Sequence, residues 1–195
     1  MPRHVDKAQR RRDILNAAVA VIADCGMSGL SFRAVADRLG GSTTLVTHYY
    51  PTQRDLVDDL AVSIVDTWDE EIAEREQGTE GRRERLMILL EWLVATDEQS
   101  LREQRARINL LADELTGTDH RKVFTAWDRK VRRLLLNHVK HLVPDDEVEG
   151  TIELLRVITN GVVLSAIEHP ERWTRRRQLA IIERALSGLG IGTGS

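Results

Sequence analysis

Five short polar side chains fall within seven consecutive positions: Ser42, Thr43, Thr44, Thr47 and His48. Hydroxyl and imidazole groups of this size form hydrogen bonds close to the backbone, and a threonine methyl packs against a thymine methyl. Their chemistry suits the reading of base edges in a major groove. A helix with such a face makes a poor core element, because one side of it lacks apolar residues. A three-helix subdomain with a solvated polar face has the same composition and stays open as an alternative. His138 and His141 are three residues apart, a spacing that can ligate a metal from one helix face. No cysteine lies near them and Asp145 falls beyond the expected helix end. They are therefore expected to be solvated or capping histidines, with no metal bound. The sequence has no phosphate loop, dinucleotide glycine pattern or nucleophile elbow, so neither a catalytic residue nor a cofactor is expected. The rival to nucleic-acid binding is an all-helical small-molecule-binding protein or enzyme. That rival needs a polar constellation later in the chain, where the weak histidine pair is the one candidate.

The elements that must position the polar stretch follow from periodicity. Residues 8–24 are expected to form a helix, with Ile14, Ala18, Val21 and Ile22 at helical spacing and Gly26 ending it. Ser31 is placed to cap a second helix, where Phe32, Val35, Ala36 and Leu39 fall at i, i+3, i+4 and i+7. Gly40 and Gly41 break it. Ser42 is placed to cap a short third helix through about Tyr49, and Pro51 closes the unit. A short glycine-containing turn between the last two of three helices is the helix-turn-helix pattern. Thr52 and Asp55 resemble a capping box opening a longer helix that runs to about Glu76. Further helices are expected over about 82–97, 101–115, 120–142 and 146–168, with a last one from Pro170 to about Leu186. The fold class is therefore all-α, with about nine helices.

Composition agrees and adds a charge asymmetry. The 195 residues are 42% hydrophobic and 30% charged, with four prolines and one cysteine, Cys25. Such a chain can bury a core and cannot form an internal disulfide, which fits a cytoplasmic setting. The apolar stretches look shorter than the ~18 residues a membrane span needs, and no signal peptide is evident. The net charge of −3 is an average. Residues 1–50 hold seven Lys/Arg against four acids, a net +3, which leaves −6 for the rest. A basic head on an acidic body is the distribution expected of a DNA-binding head on a soluble body. The Arg175–Arg177 run reads as a solvated face.

The run from Gly40 to Tyr50, followed by Asp55-Leu56-Val57, resembles the signature of TetR-type transcriptional regulators. The stretch from Leu30 to Gly40 fits that family's second helix, and Thr43 to Tyr50 is most like the choline-responsive BetI branch. The resemblance covers residues 10–57. It implies a homodimeric repressor that binds a palindromic DNA operator and releases it when a small-molecule effector binds the body. Residues 1–51 would then be the DNA-binding domain, 52–187 the effector-binding and dimerisation domain, and 188–195 a disordered tail. Arg33 would read a base edge. Thr43, Thr44 and Thr47 would face bases or their methyls, while Ser31, His48 and Tyr49 would contact phosphate. The basic start from Arg10 to Arg12 would lie near the backbone or the minor groove, and Ser42 would belong to the same DNA-binding surface. Gln53 stands where the family usually has a phosphate-binding lysine, Tyr50 where it has phenylalanine, and Gly41 where it has an aliphatic residue.

Trp68, Trp92 and Trp127 fall on helices that, by the same resemblance, would line an effector cavity, with Asp113 or Glu114 as counter-charge. Packing in a helical core stays open as the commoner role of such tryptophans. The resemblance also implies a two-fold four-helix bundle between protomers, built by the last two helices, the alternative being that these helices pack only against their own body. Ile152, Leu155, Val162 and Ala166 form one stripe for that purpose, and Leu179, Ile182 and Leu186 another. The first of these two helices is apolar almost all round, so burial on two sides is expected.

Overall fold

Helix-forming residues fill the chain between its glycines and prolines, and the computed structural model is helical throughout the described residues, 3–115 and 121–192. Side chains are described for these residues except 3–6, 61–66, 110, 113–115 and 121–123. The elements are α1 (Arg3–Cys25), a 3-10 turn (Met27–Gly29), α2 (Phe32–Leu39), α3 (Thr43–Tyr49), α4 (Gln53–Asp66), α5 (Trp68–Arg75), α6 (Arg82–Leu93), α7 (Glu98–Leu115), α8 (Arg121–Val139), a second 3-10 turn (Asp145–Glu147), α9 (Val148–Glu168) and α10 (Arg175–Gly188). The all-α class holds.

The chain forms two compact units, residues 1–64 with 105–124 and residues 65–104 with 125–195. In the first, Ile14, Ala18 and Ile22 of α1, Val35 and Ala36 of α2, Val46 of α3 and Leu56 and Leu60 of α4 are all buried. Asn109 of α7 donates its side-chain N–H to the Ile22 carbonyl at 2.9 Å, which also receives the Gly26 N–H at 2.9 Å. The Ile22 carbonyl uses both lone pairs, one for the residue that ends α1 and one for α7. The boundary expected at residue 51 is therefore displaced. α4 as far as Ile64 and α7 from Arg105 onward belong with the three-helix head.

In the second unit, Leu86, Leu89 and Leu90 of α6, Leu135 and Val139 of α8, Ile152 and Leu155 of α9, and Ile182 and Leu186 of α10 share one core. Lys130, buried on α8, is paired with Asp69 at 2.6 Å. His138 has its two ring nitrogens 2.6 Å from the Leu134 carbonyl and 2.6 Å from Glu76 Oε1. Both nitrogens thus face protein oxygens, and Glu76 rather than His141 is its partner.

Several elements depart from expectation. The helix expected from Thr52 to Glu76 is two helices, parted at Thr67. Asp69, Glu70 and Glu71 in the first turn of α5 suit the positive end of a new helix dipole. α7 starts at Glu98 rather than Leu101. Asp97 caps it, accepting the Ser100 N–H at 2.8 Å while its own N–H donates to Ser100 Oγ at 3.0 Å. That reciprocal pair ends α6 early. Pro170 lies in a turn closed by Trp173 N–H to the His169 carbonyl at 3.1 Å, and α10 begins only after Thr174. The tail is not disordered over its described part: Ile191 is buried, and its carbonyl accepts from Arg83 Nε at 3.2 Å. Residues 193–195 lie outside the described residues. Asp145–Glu168 is long and apolar enough to cross a membrane, with a mean hydropathy of 1.4, contrary to the reading of the sequence. One face of it is packed into the core of the second unit.

Candidate nucleic-acid interface

Three local devices set α3 in place. Ser31 caps α2, its Oγ accepting the Ala34 N–H at 3.1 Å. Gly40 ends α2 at φ 65° and ψ 28°, a left-handed conformation that costs glycine no steric penalty. The following Gly41 N–H bonds back to the Ala36 carbonyl at 3.0 Å, which closes the turn. A Cβ on Gly41 would come 3.3 Å from Leu45 Cδ2, so its lack of a side chain lets the turn lie against α3. Thr52 and Asp55 form the expected capping box at the start of α4, with the Asp55 N–H to Thr52 Oγ1 at 3.1 Å and the Thr52 N–H to Asp55 Oδ2 at 3.0 Å.

Within α3 the division of faces is sharp. Val46 is wholly buried, while Thr43, Thr44, Thr47 and His48 are exposed and Tyr49 is half-buried. Thr47 Oγ1 donates to the Thr44 carbonyl at 3.3 Å, and the His48 and Tyr49 rings meet edge to face with centroids 5.4 Å apart. Ser42 occupies the N-cap position with extended backbone, yet its side chain makes no capping hydrogen bond. Its hydroxyl and the first α3 N–H groups are therefore available to an anion. Arg33 is exposed on α2, whereas Arg38 of the same helix is engaged with Asp24 of α1. Gln53 is exposed as the first residue of α4. Arg10 is exposed on α1, 3.8 Å from Asp13. Ser31 uses an oxygen lone pair to cap α2 and keeps its O–H as a donor.

A side-chain network holds the far end of α3. Tyr50 is buried, and its hydroxyl donates to Asp59 Oδ2 of α4. Arg11 of α1 donates Nε to the same oxygen at 2.6 Å and Nη2 to Oδ1. Tyr50 and Asp59 are nine residues apart and Arg11 is distant from both, so no local motif announces the triad.

Of the expected effector residues, Trp68 and Trp92 meet edge to face with centroids 5.1 Å apart. The Trp92 indole N–H donates to Glu71 at 3.1 Å. Trp127 is buried on α8 and is not part of that ring pair. The Asp113 and Glu114 side chains lie outside the described residues, and Glu71 is the carboxylate found at the tryptophans. The Glu103 carboxyl is pushed up, first by its desolvation and then by the charges of Glu71 and Asp97, while a hydrogen bond from Gln99 opposes the shift.

The stripe expected between protomers needs correction. Ile152, Leu155, Val162 and Ala166 of α9, with Ile182 and Leu186 of α10, are buried in this chain's own core, and Leu179 packs against it. The six buried ones present no surface in this chain, while Leu179 is partly exposed. The same helices instead expose Leu154, Val157, Leu164 and Ile181, with Val157 66% exposed. Residues 154, 157, 161 and 164 follow helical spacing on one face.

A polar recognition helix held by a glycine turn against a capped partner helix, in an all-helical chain with a large helical body, defines a helix-turn-helix transcriptional regulator. Residues 14–60 match the family model of bacterial regulatory proteins of the TetR family, and residues 82–190 match the C-terminal model of BetI-type transcriptional repressors. The chain belongs to the TetR family, with a C-terminal domain of the BetI type. It is 25% identical over 200 residues to the HTH-type transcriptional regulator PksA of Bacillus subtilis, covering 98% of this chain and 95% of that protein. It is 22% identical over 183 residues to the HTH-type transcriptional regulator BetI 1 of Chromohalobacter salexigens, covering 92% and 91%. A crystal structure of a transcriptional regulator from Saccharomonospora viridis in complex with choline superposes with a TM-score of 0.78 at 16% identity, over 92% of this chain and 96% of that one.

Proposed function

We propose that the protein is a homodimeric repressor that binds a palindromic operator through paired α3 helices and is released by a small organic cation. The exposed polar face of α3, opposite a single buried valine, carries this reading. Such a face suits a wet, polar partner, and its hydroxyls reach base edges without long flexible side chains. Thr43, Thr44 and Thr47 would face bases, with Arg33 reading a guanine from α2. Ser31, Ser42, His48, Tyr49, Gln53 and Arg10 would meet the backbone.

The exposed apolar stripe of α9 supports the dimer. Gly161 sits within it, and a Cβ there would meet nothing within 4 Å. A mid-helix glycine costs roughly 1 kcal/mol relative to alanine, a loss that close approach of a second helix offsets. A two-fold pairing of α9 and α10 would bury this face, and a dimer on a palindromic operator would present its two α3 helices to successive major grooves, about 34–36 Å apart. Such a repressor acts on cytoplasmic DNA. The organic cation is supported by the Trp68–Trp92 pair beside Glu71, by the crowding of acids around Glu103, and by the choline held by the Saccharomonospora viridis regulator.

The test begins with selection of duplexes from a random-sequence library by the full-length chain. A two-fold symmetric consensus with half-sites one helical turn apart is expected. Enrichment of no sequence over competitor DNA overturns the reading. Choline added to the selected complex is expected to lower its affinity, and tetramethylammonium to do so more weakly. An unaltered affinity with both removes the organic-cation effector.

A further inference from the structure

We infer that Asp59 is a positioning residue for DNA recognition: it fastens the C-terminal end of α3, through Tyr50, to α4 and to Arg11 of α1. The inference rests on the DNA-binding reading above. α3 is seven residues long, with one buried side chain and no side-chain cap at its start. Packing through one valine gives a short helix little resistance to rocking, so its angle must be held from its ends. Tyr50 is the residue that closes it, with its N–H on the Val46 carbonyl at 2.9 Å and its ring 4% exposed. The phenol oxygen is where this chain adds a polar group to an otherwise apolar plug, and it donates to Asp59.

The carboxylate is well matched to this task. Its side chain is 12% exposed, and three donors from two other helical elements converge on its two oxygens. Burial alone favours a neutral carboxyl, but the hydrogen bonds from Arg11 and Tyr50 outweigh it and hold Asp59 below its usual range. The Tyr50 hydroxyl is pushed up, by burial first and by Asp59 next, so it keeps its proton and its donor role. The fork of Arg11 is used in a bidentate contact, which fixes direction as well as distance.

This assigns different work to neighbouring arginines. Arg10, Arg11 and Arg12 are all exposed on α1, but Arg11 reaches across to Asp59 of α4, whereas Arg10 meets Asp13 and Arg12 meets Gln9 within α1. Arg11 acts on DNA through the pose of α3 and not by neutralising a phosphate. Loss of a phosphate contact lowers affinity for all sequences and reduces the slope of log K against log salt by about 1. Loss of a positioning contact lowers the ratio of specific to non-specific binding and leaves that slope unchanged.

The experiment measures full-length wild type, Tyr50→Phe, Asp59→Asn and Arg11→Gln on the duplex selected by wild type and on a scrambled duplex, across a salt series. Amide exchange of α3 in the free protein is followed in parallel. The expected result is a roughly tenfold fall in the specific to non-specific ratio for each variant, unchanged salt slopes, and at least fivefold faster exchange in the last turn of α3. Tyr50→Phe removes one oxygen and restores an apolar plug, so it keeps the test alive if Asp59→Asn fails to fold. A ratio within twofold of wild type for Tyr50→Phe with unaltered exchange overturns the inference. A smaller salt slope in Arg11→Gln, with equal loss on both duplexes, overturns it in favour of a phosphate contact. If wild type selects no duplex, the DNA-binding reading fails together with the inference. A selected duplex with an unaltered ratio overturns the inference alone.

Discussion

α3 and α9 each leave one face unused by the chain's own core, and the two faces differ in kind. α3 exposes hydroxyls and an imidazole around one buried valine. α9 buries one apolar stripe and exposes a second, from Leu154 through Val157 to Leu164. A polar face loses little by staying in water, so α3 is stable while it waits for a partner that is itself wet. An apolar face gains by leaving water, at about 25 cal/mol for each Å² covered. The face of α9 therefore suits a permanent partner such as a second copy. The head binds by exchange of polar contacts and the body by burial, which explains why motif and charge mark the first and neither marks the second.

Substitutions can break this comparison. Val157→Asp places a charge in the proposed bundle and is expected to weaken the dimer by about 1000-fold or more, roughly 4 kcal/mol. Sedimentation should show monomers with intact helix content, and a persistent dimer would place the interface elsewhere. Leu155→Ala, two positions away but on the buried stripe, is expected to cost ~2–5 kcal/mol in chemical unfolding. If the two variants exchange phenotypes, the assignment of the faces of α9 is reversed.

On the head, Arg33→Ala is expected to cost ~1–3 kcal/mol at one base position and to relax specificity there, read by repeating the duplex selection. Equal loss on every sequence would make Arg33 a phosphate contact. The Tyr50 hydroxyl gives a pH effect. Its proton leaves the unfolded chain near pH 10, its ordinary value, but leaves the folded chain only at higher pH. Between those values the folded state binds more protons, so stability falls as pH rises, by at most about 1.4 kcal/mol per pH unit. Denaturant titrations between pH 9 and 11 should show this slope in wild type and a shallower one in Tyr50→Phe. The smallest effect is expected for Ser31→Ala, about 1 kcal/mol from loss of the cap on α2. Thermal unfolding measures it, and no change would mean that α2 is held by packing alone.

Most of the head was legible because its determinants are local. Ser31, Gly40 and the Thr52–Asp55 box act within four residues of their partners. The exposed polar face of α3 follows from the spacing of Thr43, Thr44, Thr47 and His48. The body was legible as helices but not as surfaces. Periodicity showed α9 to be apolar on two sides, and it named Ile152, Leu155 and Val162 as the outer stripe when they are the inner one. Two equally apolar stripes of one helix look alike until the neighbours of each are known. Periodicity carries the helix before Asp97 on to that residue, whereas Asp97 and Ser100 form a local capping pair that opens the next helix.

The sequence by itself determined the helical class, the recognition helix with its glycine turn, and the basic head, all of which depend on contacts between near neighbours or on composition. Tertiary structure alone decided which stripe of α9 faces inward. It also decided that Trp68 pairs with Trp92 beside Glu71, and that Arg11, Tyr50 and Asp59 converge. Those outcomes join residues far apart in the chain, and their side chains meet only where the packing of several helices brings them within hydrogen-bonding or van der Waals distance.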